Sequence, residues 1–141
     1  MGMEQQSGVP FAPGLSARVE LTVTDSDTAQ AVGSGDVPVL ATPRVLALVE
    51  AATVAATATR MPAGMTTVGI RVELDHKLPT AIGHRVYAVA KLAKVDGRKL
   101  LFEVTVTDAP TGETAGVVAE GRVERMLVDR HRFVERAVGA S

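Results

Sequence analysis

Residues 42–61, TPRVLALVEAATVAATATRM, predict one long helix around which the other elements are arranged. Thr42 followed by Pro43 is typical of a helix start, because a threonine hydroxyl accepts a free backbone N–H at the N-cap and proline fits the first turn. Pro62 cannot continue the helix and therefore ends it. Since charge is almost absent from this stretch, the helix is predicted to be buried on nearly every side.

Glu50 is the one acidic residue inside this predicted helix. A buried carboxylate without a partner is costly, so it must be paired, hydrogen-bonded or protonated. Two interpretations stay open at this point. The side chain either reaches a solvated seam or pairs with an arginine, or it is a functional carboxylate.

Length and composition narrow the class of protein. With 141 residues, the chain is long enough for one domain, predicted at residues 16–138 behind a flexible arm at residues 1–15. A net charge of −1 and an aromatic content of 3% provide neither the basic surface nor the stacking platform of a nucleic-acid-binding protein. The absence of cysteine excludes thiol nucleophiles and thiolate metal sites, and three scattered histidines predict no metal site. No targeting segment or membrane span is predicted, so the expected location is the cytoplasm, without a membrane partner.

Five runs of alternating apolar and polar residues predict strands. They lie at residues 17–24 before the helix and at residues 67–76, 86–95, 99–108 and 114–128 after it. Residues 25–36 form a long connection, the dipeptide Asp96-Gly97 predicts a hairpin, and residues 129–138 predict a short helical tail. The resulting order β-α-β-β-β-β suits a curved antiparallel sheet that wraps one helix. A single sheet exposes its edges, so a homodimer is predicted.

His76 ends the strand at residues 67–76 on the same predicted face as Val68, Val72 and Leu74. If that face meets the helix, His76 approaches the surface on which Glu50 lies. A carboxylate beside a histidine fixes its tautomer and raises its pKa, which makes the histidine a general base or acid near neutral pH. Alternatively, Glu50 is itself the base or nucleophile, or His76 is a structural histidine bonded to a backbone carbonyl.

Thr42 and Arg125 complete the set of candidate residues. Thr42 is either an N-cap alone or a group that attacks a substrate or holds a water, and an attacking hydroxyl needs a neighbouring base. Glu50 lies eight residues further along the helix, about 12 Å along its axis, which is too far for a direct hydrogen bond to Thr42. Arg125 lies on an apolar strand face, where it pairs with Glu50, pairs with another acid or meets an anionic ligand.

Four stretches resemble a known family: VPVLATPRVLALVEAA, VGIRVELDHKLPTAIG, KVDGRKLLFEVTVTD and GRVERMLV, together spanning about residues 37–128. They are similar to hot-dog fold proteins of the fluoroacetyl-CoA-thioesterase-like branch. The resemblance implies an α+β fold in which about five antiparallel strands wrap one central helix. It also implies a catalytic constellation of Thr42, Glu50 and His76. The substrate-binding residues that it implies are Gly69, which contacts the substrate through its backbone, and Arg125.

The resemblance further implies a dimeric acyl-CoA thioesterase in which coenzyme A is part of the substrate and no separate cofactor is used. Glu50 and His76 would activate Thr42 or a water for attack on the thioester carbonyl. In the fluoroacetate-specific member, aromatic residues gate the acyl pocket, whereas here no aromatic residue lies between Phe11 and Tyr87. Another small or medium acyl group is therefore predicted.

Two alternatives to a thioesterase stay open. One is a non-catalytic hot-dog module that binds an acyl-CoA or another small ligand, because a fold does not fix a function. The other is an enoyl-CoA hydratase, in which an acid and a histidine lie close together in one segment. Asp75-His76 imitates that arrangement poorly.

Overall fold

A computed structural model describes residues 10–110 and 115–139, and it contains one five-stranded antiparallel sheet. The strands are β1 (Ser16–Thr22), β2 (Met65–His76), β3 (Arg85–Asp96), β4 (Lys99–Thr107) and β5 (Val117–Asp129), in the spatial order β1-β3-β4-β5-β2. The helices are α1 (Ala29–Val32), α2 (Thr42–Thr57) and α3 (Arg130–Gly139). The predicted β-α-β-β-β-β order and helical tail are confirmed. Of the predicted features, residues 1–9 of the arm and Thr114, the predicted first residue of the last strand, lie outside the described residues.

Helix α2 packs mainly against β1 and β3, and it is buried on one side only. Its inner face meets a core of aliphatic side chains and Phe102. Its outer face leaves Ala47, Ala51, Val54 and Ala55 exposed. The prediction of burial nearly all round was therefore wrong, because one sheet covers only one side of a helix. The α-helix also ends earlier than predicted, at Thr57, and a 3-10 turn, Ala58–Arg60, follows it.

Strand β2 contains a bulge that the sequence pattern did not reveal. Its register against β5 shifts between Gly69 and Arg71, which leaves Ile70 as the extra residue. Before the bulge Thr67 is buried, and after it the inward positions include Val72 and His76. The predicted unbroken alternation was therefore wrong, and Ile70 is 46% exposed. As a consequence, Gly69 and His76 both face α2.

The long connection before α2 is folded rather than irregular. It contains a 3-10 turn, Asp25–Asp27, and the single turn of α1. The buried Asp27 accepts hydrogen bonds from the backbone and hydroxyl of Thr24 and from Arg44 Nε at 2.9 Å, while its carbonyl accepts the Ala41 N–H. Burial acts to raise the pKa of Asp27, but these hydrogen bonds outweigh it and hold that pKa below 3.8. The connection is thereby tied to the first turn of α2.

Phe11, at the start of the described residues, is 5% exposed and belongs to the core. Within the described ranges, none of the helices has both the length and the apolar character required to cross a membrane.

Candidate active site

Thr42 and His76 meet at the N-terminus of α2. The N-cap is Ala41, so Thr42 is the first helical residue and its predicted role as N-cap was wrong. Because its hydroxyl does not cap the helix, it is available for His76, and Thr42 Oγ1 lies 2.7 Å from His76 Nδ1. The bonds that Asp27 makes to Ala41 and Arg44 hold this end of the helix in place. A hydroxyl and an imidazole at this distance have the geometry that a nucleophile and its general base require.

The surroundings of His76 favour its neutral form. Burial lowers its pKa below 6.5, and the nearby backbone of Leu78 acts in the opposite, weaker direction. His76 Nε2 is buried and has no hydrogen-bond partner among the described residues. In the neutral tautomer that carries its proton on Nε2, Nδ1 is free to accept the proton of the Thr42 hydroxyl.

A cleft of about 330 Å³ opens beside this pair. One wall comes from the connection between residues 34 and 41 and the other from residues 77–79, and Thr42 and His76 lie between them. Among the described residues, those that line the cleft are polar or aliphatic, and none is Phe, Tyr or Trp. Its volume is at the lower end of the range for small-molecule sites.

Glu50 belongs to a second cluster. Arg125 Nη1 donates to Glu50 Oε2 at 3.1 Å, while the other nitrogens of Arg125 donate to the hydroxyl and carbonyl of Thr67. The Arg125 side chain is 8% exposed and that of Glu50 is 32% exposed. Burial lowers the pKa of Arg125 below its usual value, and the charge of Glu50 opposes that effect. Arg125 therefore lies behind Glu50 and orients it. Pairing with Glu50 was one of the three roles predicted for Arg125.

Gly69 makes the contact between helix and strand possible. A Cβ atom at this position would lie 2.1 Å from Glu50 Oε2, which is well inside van der Waals contact. Only glycine therefore allows Glu50 to lie against the backbone of β2 while it pairs with Arg125. The adjoining bulge brings this backbone into the cluster.

Within one chain the two clusters are separate. Gly69 and His76 are seven residues apart on β2, or about 23 Å for a fully extended strand. Glu50 makes no hydrogen bond to His76 among the described residues, so the predicted contact between them is not present within a single chain. The expected upward shift of the His76 pKa is accordingly replaced by a downward one.

The sequence pattern missed Thr67, Asp27 and Arg44. Thr67 appeared to be on the outer face of its strand until the bulge reversed the alternation. Asp27 and Arg44 are seventeen residues apart and meet only through the fold of the connection. No group of three or more potential metal ligands occurs in the described part of the chain.

Comparison with known proteins gives one family and a consistent fold. The family model described as FlK, fluoroacetyl-CoA-specific thioesterase, matches residues 23–131. No curated protein matches the chain significantly.

Among solved structures, a mutant of the fluoroacetyl-CoA thioesterase FlK in complex with acetyl-CoA is 21% identical, with a TM-score of 0.84 over 93% of this chain and 99% of the other. A thioesterase superfamily member from Thermus thermophilus is 24% identical, with a TM-score of 0.78 over 94% and 98%. A hot-dog-like protein from Thermanaerovibrio acidaminovorans is 22% identical, with a TM-score of 0.82 over 96% of each chain. These structures confirm the predicted α+β hot-dog fold.

Proposed function

The chain belongs to the fluoroacetyl-CoA-specific thioesterase family and is a thioester hydrolase, and we propose that it hydrolyses small or medium acyl-CoA thioesters with no preference for the fluoroacetyl group. The observation that carries this proposal is the contact between Thr42 and His76 at the mouth of a cleft of about 330 Å³. A cleft of this size accepts a short acyl chain. Its lining has no aromatic side chain to close over a two-carbon group.

The proposed chemistry uses His76 as general base and then as general acid. The neutral imidazole removes a proton from the Thr42 hydroxyl or from a water held by it, and the oxygen attacks the thioester carbonyl. Collapse of the tetrahedral intermediate breaks the C–S bond, and the imidazolium returns the proton to the departing thiolate. Attack by Thr42 gives an acyl ester that a water then hydrolyses, whereas attack by water gives the acid directly.

Glu50 enters this scheme through a homodimer. Strand β2 is the last strand of the sheet, so its outer edge is unpaired in the described chain. Beside it, the exposed face of α2 presents Ala47, Ala51 and Val54, and Ile70 is also exposed. An open strand edge next to an apolar helix face favours association with a second copy.

A two-fold axis midway between Gly69 and His76 would pair the two β2 strands antiparallel. Gly69 of one subunit would then lie opposite His76 of the partner subunit. Each composite site would contain Thr42 and His76 from one chain and the Glu50–Arg125 pair from the other. Because Oε2 of Glu50 is held by Arg125, Oε1 would be available to orient the attacking water or hydroxyl.

The backbone beside Gly69 would supply the oxyanion contact in this composite site. The bulge interrupts the regular pairing of this segment with β5, and β2 is an edge strand of the sheet. Any N–H group of this segment that does not pair with β5 would therefore be available to the substrate. One such donor typically contributes about 3–4 kcal/mol to stabilisation of the transition state. Thr42, at the N-terminus of α2, also lines the cleft. Its backbone N–H would be a second donor, because Pro43 has no N–H and the N–H groups of Arg44 and Val45 donate to the Ala41 carbonyl.

The direct test of the proposed function is thiol release from a series of acyl-CoA thioesters. We expect turnover with acetyl- to medium-chain acyl-CoA and no advantage for fluoroacetyl-CoA, because the cleft lacks aromatic walls. A strong preference for fluoroacetyl-CoA would contradict the proposed specificity. A folded protein that binds acyl-CoA but releases no thiol would instead be the non-catalytic module.

The pH dependence tests the assignment of His76 as base. We expect kcat/KM to be constant at neutral pH and to fall as the pH falls through the His76 pKa. The midpoint of this fall should lie below 6.5, because burial disfavours the imidazolium ion. The ion pair with Arg125 offsets the charge of Glu50, so the partner subunit's pair would bring little net charge to His76. A kcat/KM that stays constant as the pH falls through this range would contradict the assignment.

A further inference from the structure

Three arginines converge on one pocket that the proposed chemistry does not use. Arg98 from the β3–β4 turn and Arg132 and Arg136 from α3 line a cavity of about 180 Å³ together with Phe133. Among the described residues, none of these three guanidinium groups forms an ion pair. Asp129, which also lines the cavity, accepts the backbone N–H of Arg132 at 2.9 Å and so caps α3.

The chemistry of this pocket matches a phosphorylated nucleotide. Arginine binds phosphate through paired N–H donors, and several arginines together suit a group with more than one phosphate. Phe133, one of only four aromatic residues in the chain, is 40% exposed. An exposed aromatic ring is a stacking surface for a base. A neighbouring cavity of about 680 Å³ shares Arg132, Phe133 and Arg136, which leaves room for an adenosine.

The position of the pocket indicates which active site it would serve. It lies beside Asp129, which pairs with Met65 at the start of β2. His76 of the same chain is eleven residues further along this strand, about 36 Å for an extended strand. Gly69 is only four residues from Met65, about 13 Å by the same measure. The pantetheine arm of coenzyme A has about thirteen bonds between sulfur and phosphorus, equivalent to about 15 Å of extended chain.

We propose that Arg98, Arg132 and Arg136 bind the phosphates of coenzyme A, with Phe133 against its adenine, for the thioester held at His76 of the partner subunit. This inference rests on the proposed function and its composite site. The arm of the substrate would run along the free edge of β2 from the basic pocket to Gly69. One chain would thus hold the nucleotide and Glu50, and the other would supply Thr42 and His76.

The test compares acyl-CoA with the same acyl group on pantetheine, which lacks the nucleotide. In the double variant Arg132→Gln/Arg136→Gln, we expect KM for acyl-CoA to rise about tenfold or more, with kcat unchanged. KM for acyl-pantetheine should stay the same in this variant. Arg85→Gln is the matched control, because Arg85 is an exposed arginine at the start of β3, next to the opposite edge of the sheet. Equal changes for both substrates, or no change for either, would overturn the proposal.

A binding measurement separates this inference from the proposed function. Calorimetry with coenzyme A itself requires no turnover, and we expect the double variant to bind it about tenfold more weakly than wild type does. Weaker binding in a protein without thioesterase activity would support the nucleotide site and reject the proposed function. Normal turnover with unchanged coenzyme A affinity in the double variant would support the function and reject the nucleotide site.

Discussion

His76→Ala should lower kcat/KM by about 10²- to 10⁴-fold, the usual contribution of a general base. The imidazole is the group bonded to the Thr42 hydroxyl, at 2.7 Å, and burial keeps it neutral and ready to accept a proton. Without it, the Thr42 hydroxyl loses the one basic side chain that contacts it among the described residues. Thiol release under saturating and subsaturating acyl-CoA measures the change, which should fall mainly on kcat.

His84→Ala provides the matched control. His84 is exposed on the turn before β3, and only its backbone forms hydrogen bonds to other described residues. We therefore expect this variant to retain the activity and thermal stability of wild type. A His76→Ala variant that keeps its fold and most of its kcat would remove His76 from the mechanism, and Glu50 would become the candidate base.

The overall fold could be predicted from local patterns because it depends on them. Apolar and polar residues alternate along each strand with a period of two. After Asp96, a two-residue turn connects β3 to β4, and its first residue, Gly97, has a φ of 61°. The bulge in β2 could not be predicted in this way. It accompanies the contact of Glu50 with Gly69, which joins residues from a helix and a strand. The sequence marks that contact only by a glycine inside a strand.

The candidate site was predictable as a set of residues but not as a set of contacts. Thr42, Glu50 and His76 stood out because they are polar residues in apolar elements. Which of them meet depends on the length of α2 and the register of β2. Eight residues of helix separate Thr42 from Glu50, and Arg125 on β5 pairs with Glu50.

The separation of Glu50 from Thr42 and His76 within one chain constrains the mechanism. A hydrolase that needed Thr42, Glu50 and His76 within one chain would require Glu50 to leave Arg125, which is 8% exposed and would lose its carboxylate partner. Breaking a buried ion pair typically costs about 3–5 kcal/mol, and the exposure of Glu50 reduces that figure here. In the proposed dimer this cost would not arise, because the second chain would bring an intact Glu50–Arg125 pair to Thr42 and His76.

Mixed dimers should therefore recover activity that neither parent variant has. Glu50→Gln and His76→Ala are each expected to be nearly inactive. In a heterodimer of the two, one composite site combines Thr42 and His76 of the first variant with Glu50 of the second, and this site is fully wild type. Random mixing gives heterodimers as half of all dimers with one intact site each, so we expect about a quarter of wild-type activity.

The matched control mixes Thr42→Ala with His76→Ala. Both substitutions fall in the same half of the composite site, so each site of that heterodimer carries one defect and no activity should return. Heterodimers isolated by two different affinity tags should show about half of wild-type activity in the first mixture and none in the second. If purified heterodimers of Glu50→Gln with His76→Ala stay inactive, the three residues act within one chain. Glu50 would then have to exchange Arg125 for His76 during turnover, and the shared site at the free edge of β2 would be rejected.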